Sequence, residues 1–173
     1  MNGTPDGGHG GGMTSRIPIP PGLRRTAFRT SDPASGLGRG RLRGDGVAHP
    51  FHGVSAIDLD PGDVRDRVHA FAPNLLPGQV YSHTTALSLH GAALPRLPAD
   101  LHVTVRFPRT PPRGRGITGH SLGEAPALLL DGLPVAPPEV AWAQAGALLG
   151  VEDLVAAGDA LVTGARMRGA RAG

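Results

Sequence analysis

Residues 81–107 read YSHTTALSLHGAALPRLPADLHVTVRF, and the order of polar, apolar and turn residues in this stretch sets the fold. Ser82 is a natural N-cap and Gly91 suits the left-handed residue that closes a helix, so about two helical turns fit between them. After a connection containing Pro95 and Pro98, Leu101, Val103, Val105 and Phe107 alternate with His102, Thr104 and Arg106. That period of two marks a strand with one buried face, which Pro108, Pro111 and Pro112 then stop. A helix this short is unstable alone and must dock on the strand's apolar face, so the pair forms a core around which the rest packs.

Downstream, Ile117 to Leu122 reads as a second strand. Ala127–Leu130 and Leu133–Val135 flank Asp131-Gly132, a dipeptide that accepts the positive φ angles of a tight hairpin. A small antiparallel sheet packed with helices follows, placing the chain in the mixed α/β (α+β) class. Pro137 and Pro138 open a helix carrying Val140, Trp142, Ala145 and Leu148 or Leu149 and closing at Gly150, with Trp142 expected in the core. Val151, Leu154, Val155, Gly158, Leu161 and Val162 form a helical stripe behind Glu152 and Asp153 in its first turn. Residues 164–173 read as a frayed end. Upstream, Asp60 as N-cap, Pro61 at the first helical position and Asp63 in the first turn announce a helix whose inward face is Val64, Val68, Phe71 and Ala72.

Composition narrows the function classes. The 27 Gly and 18 Pro among 173 residues imply much loop and turn, and residues 1–22 form a Gly/Pro-rich tail in which Met13 offers an alternative start. All 17 basic residues are Arg, a skew that also suits the coding bias of a GC-rich genome, and the net charge of +3 permits an anionic partner without demanding one. There is no Cys, hence no disulfide or thiolate metal site. No apolar run approaches a membrane span and the start has no signal-peptide apolar region, which points to the cytoplasm.

Residues 23–57 are basic. Arg24, Arg25, Arg29, Arg39, Arg41 and Arg43 face the single acid Asp32 over this stretch's first half. A short helix starting at Ser31 or Asp32 and turning at Gly36 would lead to a second helix with Arg39, Arg41 and Arg43 outward and Leu42 inward. Ala48 to Ile57 would supply a β wing, with His49 and His52 placed to meet phosphate. This is the outline of a compressed winged helix-turn-helix. Arg both neutralises phosphate and makes bidentate contacts to guanine, so double-stranded DNA is the expected partner.

In order and spacing, the segments FRTSDPASGLGRGRLRGDGVAHPFHGV, YSHTTALSLHGAALP, DLHVTV, RGRGITGH, DGLPV and VEDLVAAGDALV resemble the bacterial AbiEi-like type IV antitoxin-domain family. In many of its members the same region precedes a domain related to very-short-patch-repair endonucleases. The resemblance covers roughly residues 23–162. It implies a winged helix-turn-helix-like DNA-binding module over 23–57 and an α/β antitoxin-like domain over 58–163 that neutralises a nucleotidyltransferase-type toxin. Arg39, Arg41 and Arg43 match the recognition-helix positions and Pro50 to Val54 the wing. Gly38 departs from the polar residue usual at the helix start, and the chain stops near where the nuclease-related domain would begin. The expected function is that of a non-catalytic transcriptional regulator. A targeting module cut off before its nuclease domain, and a purely toxin-binding domain, are the alternatives.

Three further patterns invite chemistry. Gly119-His120-Ser121-Leu122-Gly123 spells G-x-S-x-G, but a nucleophile elbow needs a strand before the Ser and a helix straight after it, and Pro126 and Asp131-Gly132 interrupt that helix. Asp58-Leu59-Asp60 pairs carboxylates, yet no phosphate loop precedes it and capping by Asp60 explains it. Nucleases of the related type need clustered carboxylates and usually a Lys, whereas this chain has no Lys and three Glu. No enzyme activity, cofactor or metal is therefore expected, and His83 and His102 read as structural hydrogen-bonding residues.

Overall fold

The computed structural model describes residues 18–92, 94, 95 and 99–170, with the backbone alone over 165–170. The Gly-rich start, Met13, Pro98 and Arg171 lie outside the described residues. The chain forms β1 (Thr26–Arg29), α1 (Arg39–Leu42), β2 (Val54–Ile57), α2 (Val64–Phe71), β3 (Gln79–Tyr81), α3 (His83–Leu89), β4 (Leu101–Arg106), β5 (Ile117–Leu122), β6 (Leu128–Leu130), β7 (Leu133–Val135), α4 (Pro138–Ala145) and α5 (Val151–Ala170). This is the expected mixed α/β class. Among the described residues no helix is long and apolar enough to cross a membrane.

The central unit forms as its local chemistry dictates. Gly91 takes φ +92° and a Schellman closure ends α3, with Gly91 N donating to Ser88 O and Ala92 N to Leu87 O, both at 3.0 Å. Asp131 and Gly132 take φ +52° and +78°, the two positive angles of a type I′ turn between β6 and β7.

Sheet order is β5-β4-β3-β7-β6. The sheet is mixed, not antiparallel throughout: β3 runs antiparallel to β4 and β6 to β7, while β4 pairs β5 and β3 pairs β7 in parallel. Proline explains the difference. Pro108, Pro111 and Pro112 lack the N–H groups a hairpin ladder needs, so residues 107–116 travel back over the sheet and β5 restarts beside the start of β4, Leu101 opposite Ile117. The returning loop lies on β5 at Gly119, where a Cβ would sit 2.1 Å from Pro112 O.

Two helix boundaries also differ from expectation. α2 is capped by Asp63, whose side chain accepts from Asp66 N at 3.0 Å. Asp60 instead accepts from Gly62 N at 2.7 Å, closing a turn over Pro61-Gly62 that delays the helix. α5 runs on past Gly164 to Ala170. Its apolar stripe divides: Leu154, Ala157 and Leu161 pack inward, whereas Val151, Val155 and Val162 are exposed. Trp142 is 38 % exposed at the α4–α5 contact and not enclosed in the core.

β1 and β2 form a separate antiparallel pair, Thr26 opposite Ile57. Between them lie a 3-10 turn, Pro33–Ser35, capped by Asp32 and closed by Gly36 at φ +64°, and then α1, a single turn with Leu42 buried. One apolar core serves this pair and the larger sheet: Phe51 and Val54 join Val68, Phe71, Tyr81, Leu101 and Val103, with Phe51 edge-on to Phe71 at 5.2 Å.

Candidate functional site

The residues expected to meet DNA divide into two groups. One group is engaged within the chain. Arg25 Nη2 donates to Asp66 Oδ1 at 2.7 Å, while the other carboxylate oxygen accepts from Asp60 N at 2.9 Å, so this contact fastens the N-terminal segment onto α2. Arg24 pairs with Asp58 at 3.6 Å, Arg29 Nε donates to Pro73 O and Arg41 Nη1 to Asp45 O. His49 Nε2 lies 3.0 Å from Leu42 O and its Nδ1 3.4 Å from Ser55 Oγ, which holds the loop before β2 against the end of α1. The other group, Arg39, Arg43 and the His52 ring, is exposed and has no such engagement among the described residues. The expected recognition helix is one turn long, with Arg43 as its C-cap.

Two further arginines stand nearby that the sequence presented only as part of a loop. Arg113 and Arg115, on the crossover before β5, line a cleft of about 840 Å³ together with His52, Asn74, Phe51 and Ile117. Both are exposed and, among the described residues, without an acidic partner. The cleft lies between the loop before β2 and the crossover, so it combines cationic groups with an apolar floor.

A second constellation lies on the polar face of the sheet. The alternation that buries Leu101 and Val103 puts His102 and Thr104 on the opposite face of β4, and the parallel register sets Thr118 beside His102 and His120 beside Thr104. His83, the first residue of α3, completes the group. His102 Nδ1 is 2.9 Å from His120 Nε2, and the His83 ring stacks on that of His120 with centroids 3.8 Å apart. Ser82 Oγ is 2.9 Å from His83 Nδ1 and accepts from Thr104 Oγ1 at 2.8 Å, so this N-cap residue serves the cluster and not the helix end. One ligand nitrogen from each ring lies within 4.8 Å of the other two.

Burial and mutual repulsion keep these rings neutral. Loss of solvent, then the charges His120 and His102 would carry, lower His83 to a pKa of about 4. His102 falls to about 4 by desolvation and His120, against the opposing pull of Asp100, and desolvation lowers His120 as well. Asp100 is itself held by Thr118 Oγ1 at 3.0 Å. Read from sequence, His83 and His102 have separate structural roles and His120 is absorbed into G-x-S-x-G. The signal that points to the cluster is a His on the polar face of each of two adjacent strands.

The remaining motifs have structural explanations. Ser121 lies within β5, not at a strand-to-helix turn, and among the described residues its Oγ reaches only Arg109 O at 3.4 Å. Asp58 and Asp60 are taken up by Arg24 and by the turn before α2. No family model matches the chain, and a search of curated proteins returned no match.

Proposed function

We propose that this protein is a non-catalytic, DNA-binding, antitoxin-like transcriptional regulator, anchored on duplex phosphates by arginines that are not engaged within the fold. The observation that carries this reading is the set Arg39, Arg43, Arg113 and Arg115, four exposed guanidinium groups without an acidic partner among the described residues, two of them lining the cleft with His52. Unpaired Arg gives up no ion pair on meeting a phosphate, whereas Arg24, Arg25, Arg29 and Arg41 would first release contacts that hold the fold. Phosphate anchoring thus rests on α1 and the crossover loop together. A single turn of helix offers few side chains to base edges, so backbone contacts supply most of the affinity.

Fluorescence anisotropy against DNA from the gene's own upstream region, with a scrambled duplex as competitor across a salt series, tests this. Arg39→Ala with Arg43→Ala, and Arg113→Ala with Arg115→Ala, are each expected to weaken binding and to reduce the salt slope by about one for every phosphate left without its arginine. Equal, salt-labile binding to both duplexes, unchanged in the variants, would reduce the basic face to a solvated surface.

A protein-binding role is favoured by a separate observation. Val151, Val155 and Val162 lie along one stripe of α5 and are 79 %, 54 % and 54 % exposed. Such a stripe suits the neutralisation of a nucleotidyltransferase-type toxin, and exchanging the three for Ser should abolish toxin neutralisation on co-expression while leaving DNA affinity intact.

A further inference from the structure

We propose that His83, His102 and His120 form a binding site for one first-row divalent transition ion of the zinc class. Three elements supply the ligands: the start of α3, the polar face of β4 and that of the neighbouring edge strand β5. Their ligand nitrogens lie within 4.8 Å of one another. Zn–N bonds of about 2.0–2.1 Å in tetrahedral array put nitrogens roughly 3.3 Å apart. The three rings lie near-parallel with His83 stacked on His120, so closure on an ion needs the His83 ring to turn out of that stack as well as side-chain shifts on the order of 1 Å.

Protonation and support both favour this occupant. Imidazole binds a metal only when neutral, and the depressed basicity of all three rings holds them in that form at neutral pH. The 2.9 Å contact between His102 Nδ1 and His120 Nε2 holds at most one proton between two lone pairs, and a cation taking its place satisfies both nitrogens. For His83, donation from Nδ1–H to Ser82 Oγ leaves the Nε2 lone pair for the ion. Thr104 Oγ1 donates to the same Ser82 oxygen, so a buried hydroxyl pair orients this ring, as hydrogen-bonded partners orient metal-bound histidines generally. His83 also adopts φ +50°, a left-handed backbone angle uncommon for a residue with a side chain, at the position that brings it to the cluster.

An all-imidazole set selects ions such as Zn²⁺, Co²⁺, Ni²⁺ or Cu²⁺ over Mg²⁺ and Ca²⁺, which take oxygen ligands. Three protein nitrogens leave one coordination position for water or for an anionic group of a partner.

The test is an optical titration of the tag-free full chain with Co²⁺ at neutral pH, followed by displacement with Zn²⁺ and by thermal melts with and without Zn²⁺. The expected result is one equivalent bound, with the intense visible bands of a four-coordinate ion, and a rise in Tm on adding Zn²⁺. His120→Gln, on the edge strand, and His102→Gln should each lower affinity at least tenfold, while His49→Gln with His52→Gln leaves it unchanged. Folding of each variant is checked by circular dichroism, and His120→Gln carries the test should His102→Gln fail to fold. A Co²⁺ spectrum that stays that of the hydrated ion, or Zn²⁺ raising the Tm of wild type and His120→Gln equally, would overturn the assignment.

Discussion

The phenol of Tyr81 donates a 2.8 Å hydrogen bond to Val68 O, joining the end of β3 to α2 beneath a fully buried ring. Val68 O also accepts from Ala72 N, so removing the hydroxyl does not orphan the carbonyl. Tyr81→Phe should therefore cost only about 1 kcal/mol in urea unfolding. Tyr81→Ala, which empties the ring's volume, should cost about 3–5 kcal/mol. Equal costs for the two would mean that the hydrogen bond, and not the ring, joins sheet to helix.

Gly119 is required by the close approach of the crossover. A Cβ there would lie 2.1 Å from Pro112 O and 2.9 Å from Pro111 Cβ, so the whole proline loop would have to lift from β5. Gly119→Ala should destabilise by about 3 kcal/mol. Ser121→Ala, removing an exposed hydroxyl with one long contact, should change stability by less than about 0.5 kcal/mol. Denaturant midpoints for the two variants check the contrast, and a Gly119→Ala midpoint equal to that of the wild type would refute the packing argument.

Trp142 and Gly158 should be energetically coupled. The indole Nε1 donates to Leu154 O at 2.8 Å, an approach that Gly158 permits because a Cβ there would be 3.0 Å from the same nitrogen. In an otherwise helical setting Gly→Ala gains about 1 kcal/mol. With Trp142 in place that gain is offset by displacement of the indole, so Gly158→Ala should be neutral to mildly destabilising. In a Trp142→Ala background the same change should stabilise by about 1 kcal/mol. A double-mutant cycle with no coupling would show that the two residues do not share the contact.

What was legible in the sequence was what local chemistry decides. Gly91, Asp131-Gly132 and the alternation from Leu101 to Val105 each specify a backbone conformation by themselves, and each element appears where its residues place it. Strand direction is not local. The crossover sets the parallel register in which His120 lies opposite Thr104, on the face that carries His102. The α2 start differs because Asp60 and Asp63 are equally good caps by type, and Gly62 favours the later one. The arginines show the same limit. Their number and spacing were readable, but the acids and carbonyls that occupy Arg24, Arg25 and Arg29 come from α2 and its flanking turns, distant in sequence.

The histidine cluster sets a direction for acid sensitivity. His83 and His102 titrate near 4 in the folded chain and near the ordinary 6.5 when unfolded. Between these values the unfolded chain binds more protons, so stability is fully present above pH 6.5 and falls as pH drops through 6.5 toward 4. The groups facing these rings are the other two imidazoles, which oppose protonation, and Asp100, which favours it at His102. Thermal melts between pH 6.5 and about pH 5, above the range where ordinary carboxylates titrate, isolate the histidine contribution. The metal-free wild type should lose Tm steadily across this window. His120→Gln, which removes one of the repelling rings, should flatten the fall. A Tm independent of pH over this window would mean that the three rings protonate in the folded chain as readily as in the unfolded one.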